Sequence, residues 1–77
     1  MESMNIRDIL SEREFEVMVL VSNGLYNKEV AVKLKCEECT IKKHLQHIFE
    51  KMRVQNRTEA TVKFFRLGGM LTLPNED

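Results

Sequence analysis

The chain has 77 residues, 43% of them apolar, which suits one small domain with a modest hydrophobic core. Its longest apolar run, Val17 to Val21, is too short to cross a bilayer, and no secretory signal opens the sequence, so a soluble cytoplasmic domain without a membrane partner is expected. Twelve basic and twelve acidic residues give zero net charge, so the chain lacks the overall positive charge that is typical of nucleic-acid-binding proteins.

The charges are unevenly distributed along the sequence. Residues 1–23 contain five acidic and two basic residues, whereas residues 40–57 contain five basic residues and one acidic residue. The local field, rather than the net charge, decides whether a phosphate group is attracted. A nucleic-acid partner is therefore compatible with this sequence if it binds near residues 40–57.

Residues 1–9 have no clear hydrophobic period and are predicted to form a flexible lead. The first helix is predicted to begin after Ser11, because Ser11 and Glu14 have the spacing of a capping box, in which each side chain bonds the backbone N–H of the other residue. Leu10 and Phe15 stand where a hydrophobic staple would pack across this cap.

The first helix is predicted to end at Gly24, which can adopt the left-handed conformation common after a helix. Val19 falls outside the apolar stripe and is expected at the surface. Leu25 is expected to anchor the link to the next helix. The predicted core residues of the first helix are Val17, Met18, Leu20 and Val21.

A second helix is predicted from Asn27, a residue suited to the N-cap, to Leu34. A tight turn follows, in which Lys35 occupies the left-handed position that favours glycine. Glu37 then precedes the third helix as a weak N-cap, because Glu is a poor short-range acceptor for the first backbone N–H groups.

The third helix, from about Glu38 to Met52, has two contrasting faces, and the other helices are predicted to support it. Lys43 and Gln46 point roughly opposite to an apolar stripe, and Lys42 lies at the edge of their face. Lysine and glutamine side chains can bond base edges in a DNA major groove, so this segment is interpreted as a recognition helix. The apolar stripe consists of Ile41, Leu45, Ile48 and Met52.

A fourth helix is predicted to run to about Leu67, with Asn56 as N-cap and Glu59 at the third helical position. Gly68 follows it and should stop it. Residues 70–77, which include Pro74, are predicted to form a tail. The predicted core stripe is Ala60, Phe64 and Leu67.

Four helices and no strand pattern predict an all-α domain over residues 10–69. Its second and third helices, joined by a three-residue turn, match the pattern of a helix-turn-helix. The third helix would be the one that enters the major groove.

Four blocks of the sequence resemble the LuxR-type (GerE-like) helix-turn-helix family. They are LSEREFEVM at 10–18, GLYNKEVA at 24–31, TIKKHLQHIFEKM at 40–52 and VQNRTEA at 54–60. The resemblance implies a sequence-specific DNA-binding transcription regulator, either a small stand-alone protein or the effector domain of a longer response regulator or receptor. It implies double-stranded DNA as the partner, RNA polymerase as a further candidate partner and no cofactor.

The resemblance also implies two sets of DNA-binding residues. One set matches the family positions that face the bases, namely Lys42, Lys43 and Gln46. The other set matches positions at or near the phosphate backbone, namely Asn27, Lys28, Thr40 and Lys51.

The fourth helix of this family commonly forms a homodimer, which is expected here to be weak without DNA. Phe65 supports this expectation, because Phe64 is assigned to the core and its neighbour must point elsewhere. Thr61 and Val62 are predicted to share the interface with Phe65.

Four residues depart from the family pattern. Glu37 stands where Ser is usual, and its charge would lie close to DNA. The other departures are Tyr26 in place of Ser or Thr, Lys35 in place of Gly, and Cys39 in place of a basic or polar residue.

Cys36 and Cys39, with His44 and His47, imitate a zinc site. Cys39 and His44 would lie ~140° apart around one helix and could not easily share an ion. Cys36 is interpreted instead as a small core residue, and no metal site is predicted.

The sequence offers no glycine-rich phosphate loop, nucleophile motif or paired carboxylates, so no catalytic residue and no enzyme activity are predicted. Two alternatives to the regulator remain. One is the promoter-reading region of a sigma factor, which shares the helix pattern, and the other is a helical protein–protein interaction module.

Overall fold

A computed structural model describes residues 4–73 of the chain. Within these residues all regular structure is helical, which confirms the predicted all-α class. The helices are α1 (Ile6–Ile9), α2 (Glu12–Ser22), α3 (Asn27–Leu34), α4 (Glu38–Met52) and α5 (Arg57–Arg66). The predicted number of four helices is wrong, because α1 precedes them, and none of the described helices could span a membrane.

Helix α1 lies in the segment predicted to be a flexible lead, and that prediction is wrong from Ile6 onward. The side chain of Asn5 caps the helix by accepting a 2.9 Å hydrogen bond from the Arg7 N–H. Ile6 is fully buried, and its N–H donates to the Leu67 carbonyl at 2.8 Å. The guanidinium of Arg7 lies 4.0 Å from the ring centre of Phe15. Contacts with distant residues therefore order a helix too short to show a sequence period.

Helix α2 is the central helix and contacts the other four. Its predicted capping box is confirmed: the Ser11 N–H donates to Glu14 Oε1 at 2.9 Å, and the Glu14 N–H donates to Ser11 Oγ at 3.1 Å. Phe15 is buried and packs against the ring of Phe64 in α5, with 5.3 Å between the ring centres. Burial on both sides explains why α2 is apolar around most of its circumference.

Val19 is fully buried, so the prediction that it lies at the surface is wrong. The chain after α5 returns to α2, where Asn23 Nδ2 donates to the Leu71 carbonyl at 2.8 Å. Leu73 packs against the core next to this bond. Residues 70–73 thus return to the C-terminal end of α2. Pro74 and the acidic residues predicted for the tail lie outside the described part.

The turn between α3 and α4 has the backbone geometry that was predicted from the sequence. Lys35 has φ 58° and ψ 49°, in the left-handed region. Glu37 is the N-cap of α4, and its side chain makes no capping hydrogen bond, as predicted. Asn27 is not the cap of α3, because Tyr26 takes that position and its N–H donates to Glu29 Oε1 at 2.7 Å.

Helices α3 and α4 form the predicted helix-turn-helix and pack against α2. The four residues of the α4 stripe are all buried, and so are Ala60 and Phe64 of α5. The N-cap of α5 is also confirmed, because Asn56 Oδ1 accepts from the Glu59 N–H at 2.9 Å. The packed stripe fixes which face of α4 remains exposed.

Candidate nucleic-acid interface

The exposed face of α4 carries the side chains predicted to read bases. Lys42, Lys43 and Gln46 are all exposed, whereas Ile41 and Leu45 beside them are buried. This alternation follows from the 3.6-residue period of the helix, because the buried stripe faces α2 and α3. The first three turns of α4 therefore present lysine and glutamine outward.

An open cleft of about 640 Å³ lies between the start of α3, the exposed face of α4 and the start of α5. It brings together four of the seven predicted DNA-binding residues, Asn27 and Lys28 from α3 with Lys42 and Gln46 from α4. Three cations and one carboxylate line the cleft, which gives it a positive balance in a chain of zero net charge. The complete lining is Tyr26, Asn27, Lys28, Glu38, Lys42, Leu45, Gln46, Phe49 and Arg57.

Arg57 is a residue of this cleft that the sequence analysis missed. Its Nη1 donates to the Leu25 carbonyl at 3.0 Å, and its Nη2 donates to Asn27 Oδ1 at 2.6 Å. These bonds join the start of α5 to the link between α2 and α3. The only local signal was a cation directly after the N-cap Asn56, and such a position does not reveal a partner 30 residues away.

Asn27 has its side-chain oxygen committed to Arg57. An asparagine amide also carries two N–H donors, and these are the groups that could bond a phosphate oxygen. Arg57 thus fixes the orientation of Asn27, so that the amide donors and the guanidinium charge lie in the same cleft.

Lys51 lies apart from this group. It follows Lys42 by nine residues, which places it about 180° around the helix. Its Nζ forms an ion pair of 2.7 Å with Glu14 Oε1, and the Glu14 side chain is only 7% exposed. A phosphate contact by Lys51 would have to compete with this carboxylate.

Burial of Glu14 disfavours its charged form, but the Lys51 ammonium and the hydrogen bonds from Ser11 outweigh this effect, so the pKa of Glu14 lies below its usual value. The ion pair connects α2 to the C-terminal part of α4. Lys51 therefore helps to fix the position of α4 against α2.

The two remaining predicted residues lie near the start of α4. Lys43 is exposed beside Lys42 but does not line the cleft. Thr40 is half-buried in the first turn, where its N–H donates to the Glu37 carbonyl at 3.0 Å. Both residues thus lie at the margin of the cleft rather than within it.

The outer surface of α5 carries the residues predicted to pair two copies. Val62 is 52% exposed and Phe65 is 40% exposed, while Thr61 is half-buried. The Phe65 ring meets the buried Phe64 ring edge-on, with 5.6 Å between the centres. An apolar surface is therefore present on α5, and it continues directly into the core.

The two cysteines differ in their surroundings. Cys36 is half-buried and packs against the core, as its interpretation as a small core residue predicted, whereas Cys39 is exposed. Within residues 4–73, no group of three or more Cys, His, Asp or Glu side chains is arranged to hold a metal ion.

Residues 8–64 match the family model of bacterial regulatory proteins, luxR family. The chain is 44% identical over 59 residues to the transcriptional regulatory protein LnrK of Bacillus subtilis, an alignment that covers 77% of this chain and 27% of LnrK. It is 40% identical over 58 residues to the nitrate/nitrite response regulator NarL of Escherichia coli, covering 73% and 27%. It is 36% identical over 59 residues to the response regulator VraR of Staphylococcus aureus, covering 77% and 28%. The chain thus spans little more than a quarter of the length of these curated relatives.

Proposed function

Because the chain belongs to the luxR family of bacterial regulatory proteins and forms the DNA-binding helix-turn-helix domain of that family, we propose that it regulates transcription by placing α4 in the major groove of duplex DNA. The observation that carries this mode of binding is the cleft in which Lys42 and Gln46 of α4 meet Lys28 and Arg57. Base-reading and phosphate-binding side chains there share one concave surface.

The exposed side chains of α4 supply the base contacts. A major groove about 12 Å wide admits an α-helix, and each base pair presents a distinct pattern of donors and acceptors in it. Lys42 and Lys43 can donate to the O6 and N7 acceptors of guanine, and Gln46 can bond the N6 and N7 atoms of adenine. These residues set the sequence preference in this proposal.

The surrounding residues supply the phosphate contacts. Lys28 and Arg57 provide charge, and the amide of Asn27 and the hydroxyl of Thr40 provide uncharged donors. Lys51 contributes at the far end of α4, as far as its ion pair with Glu14 permits. The DNA-binding unit includes α1 together with residues 10–69, because Ile6 is part of the core.

The exposed surface of α5 forms a homodimer in this proposal, through Thr61, Val62 and Phe65. Its two exposed apolar side chains would give a small interface, so pairing is weak until DNA holds both copies. A twofold arrangement places two α4 helices about one turn of DNA apart, ~34 Å, on a site with matching symmetry.

We propose the wider role from the family. The chain acts in the cytoplasm as a binding domain rather than an enzyme, either alone or as the effector part of a longer regulator. RNA polymerase is the further partner, because regulation of transcription acts on the polymerase that transcribes the bound DNA. These statements rest on relatives named as transcriptional and response regulators.

The proposal is tested by measuring the binding of fluorescent duplex DNA between 50 and 200 mM salt. Selection from a randomised duplex library first supplies the preferred site. Replacing Lys42 by alanine should weaken binding to that site by roughly tenfold and reduce its preference at one base pair.

The matched control is Arg13→Ala, which removes the same charge from α2, where Arg13 forms an ion pair with Glu16 and has no other ion pair with the described residues. It should leave both affinity and preference unchanged. Equal losses of affinity from both variants would show that Lys42 acts only through its charge. Binding of wild-type protein that did not weaken as salt rises would contradict the proposal.

A further inference from the structure

A carboxylate lies in the proposed DNA-binding cleft, between groups that would attract phosphate. We propose that Glu38 is a specificity-determining residue that selects cytosine at one position of the binding site, an inference that rests on the proposed function. Glu38 is absent from the residues that the family resemblance assigned to DNA. Glu38 lies in the cleft, and its carboxylate makes no hydrogen bond or ion pair with another residue of 4–73 and suits only some base edges.

Glu38, Lys42 and Gln46 form one row along α4. They are four residues apart, so they lie on neighbouring turns of the same side and span roughly 12 Å along the axis. All three are exposed, and all three line the cleft. A row of this length covers about three to four base-pair steps of ~3.4 Å when the helix lies along the groove.

The Glu38 carboxylate has no hydrogen bond or ion pair within residues 4–73, although cations line the same cleft. A carboxylate with no partner in the free protein retains all its acceptor sites for a ligand. Near DNA it repels every phosphate, so it weakens binding unless it bonds a donor on a base.

Base-edge chemistry restricts which donor this can be. In the major groove, guanine presents the N7 and O6 acceptors and thymine presents the O4 acceptor, and each of these would repel a carboxylate. Adenine offers an amino group beside the N7 acceptor, so its edge suits an amide such as that of Gln46. Cytosine presents the N4 amino group without an acceptor of its own next to it, and it is the base that Glu38 fits.

A second explanation for an acidic residue at this position is the helix dipole, which favours negative charge in the first turn. Glu37 tests this explanation, because it precedes Glu38 at the same helix end, is also exposed and does not line the cleft. Its side chain makes no capping bond, so replacing it removes charge without removing a cap. Glu37→Gln is therefore a matched control for Glu38→Gln.

The experiment starts from the site that the wild-type chain selects from a randomised duplex library. Wild type, Glu38→Gln and Glu37→Gln are then titrated against four duplexes that differ only at each selected cytosine, and circular dichroism checks that every variant is folded. Wild type should prefer cytosine at one position by roughly five- to tenfold. Glu38→Gln should lose that preference or change it to adenine, and Glu37→Gln should keep it.

Two results would overturn the inference. Glu38→Gln could tighten binding to all four duplexes equally, in which case the carboxylate only repels DNA, or Glu37→Gln could lose the same preference. In either case wild type would still bind duplex DNA selectively, so the proposed function would stand. Absence of salt-dependent binding by wild type to any duplex would instead remove the proposed function, and this inference with it.

Discussion

Lys35 and Arg53 each follow a helix in the left-handed conformation, with φ 58° and ψ 49° in both cases. A Cβ atom costs energy in this region, and glycine avoids the cost because it has no Cβ. Lys35→Gly should therefore stabilise the fold by up to about 1 kcal/mol, partly offset by the greater freedom of glycine in the unfolded chain. Urea denaturation at constant temperature measures this change.

Arg53→Gly is the matched control for the conformational argument and should give a gain of similar size. Lys35→Gly should also weaken DNA binding slightly at low salt, because a cation close to the recognition helix is lost. Destabilisation by both variants would mean that the lysine and arginine stems contribute more by packing than the left-handed conformation costs.

Glu14 gives stability that depends on pH. Its pKa is lowered in the folded protein relative to an ordinary value of 4.5, so folding favours the ionised form. The stabilisation is fully present above the unfolded pKa and is lost as the pH falls through the folded pKa, that is, below about 4.5. Glu14→Gln keeps the capping-box acceptor but removes this charge, so it should cost about 1 kcal/mol at pH 7, discounted for the exposed Lys51 end.

Denaturation curves at pH 7 and pH 3.5 check this prediction. The difference between wild type and Glu14→Gln should shrink at the lower pH, while Glu16→Gln, in the exposed pair with Arg13, should show little effect at either pH. A constant difference at both values would show that the ion pair with Lys51 does not account for the cost.

At the scale of single helices, α5 has one buried side and one exposed side, and the exposed side is the surface proposed to pair two copies. Its inner side carries Phe64 into the core, and its outer side carries Phe65. Phe65→Glu should leave the monomer folded, since Phe65 is 40% exposed, but should abolish cooperative binding to paired half-sites. Footprinting on paired and single half-sites measures the loss, with circular dichroism as the check on folding.

Val32→Glu is the corresponding control, because Val32 is 74% exposed on α3 rather than α5. It should retain cooperative binding to paired half-sites. A footprint from Phe65→Glu that matched wild type would exclude this surface as the interface.

The helices that the sequence predicted well are those whose signals are local. Caps and buried stripes gave the bounds of α4 and the confirmed N-caps Ser11 and Asn56, because each depends on residues within a few positions. Helix α1 could not be predicted in this way. Its four residues are too few for a period, and Ile6 is held by Leu67 near the other end of the chain.

At the scale of the whole molecule, the features that the sequence did not predict depend on contacts between residues far apart in the chain. Val19 is buried although it falls outside the predicted stripe, residues 70–73 return to α2 through the bond between Asn23 and Leu71, and Arg57 bonds Leu25 and Asn27. Neither contact leaves a pattern in the residues nearby. The exposure of Lys42 and Gln46 on the same side of α4 was predictable, since both lie on one helix whose phase the sequence already defined.

The zero net charge of the molecule also has to be considered at this scale. Acidic residues dominate the first 23 positions, while the cleft carries three cations and one carboxylate. A cleft with a positive balance can orient the molecule in the field of a polyanion before contact, although the total charge gives no attraction at long distance.

The hydrogen bond between Ile6 and Leu67 also indicates where the folded chain should open first. It joins two backbone segments that are far apart in sequence. Helix α1 has only four residues, so few bonds of its own stabilise it. Segments with few internal bonds detach at lower free energy than the central helices do. Detachment of α1 would remove the Arg7 guanidinium from the ring of Phe15 and would break no hydrogen bond of α3 or α4 among the described residues. Amide protons of this first helix should consequently exchange with solvent through local opening, and those of α2 only through global unfolding.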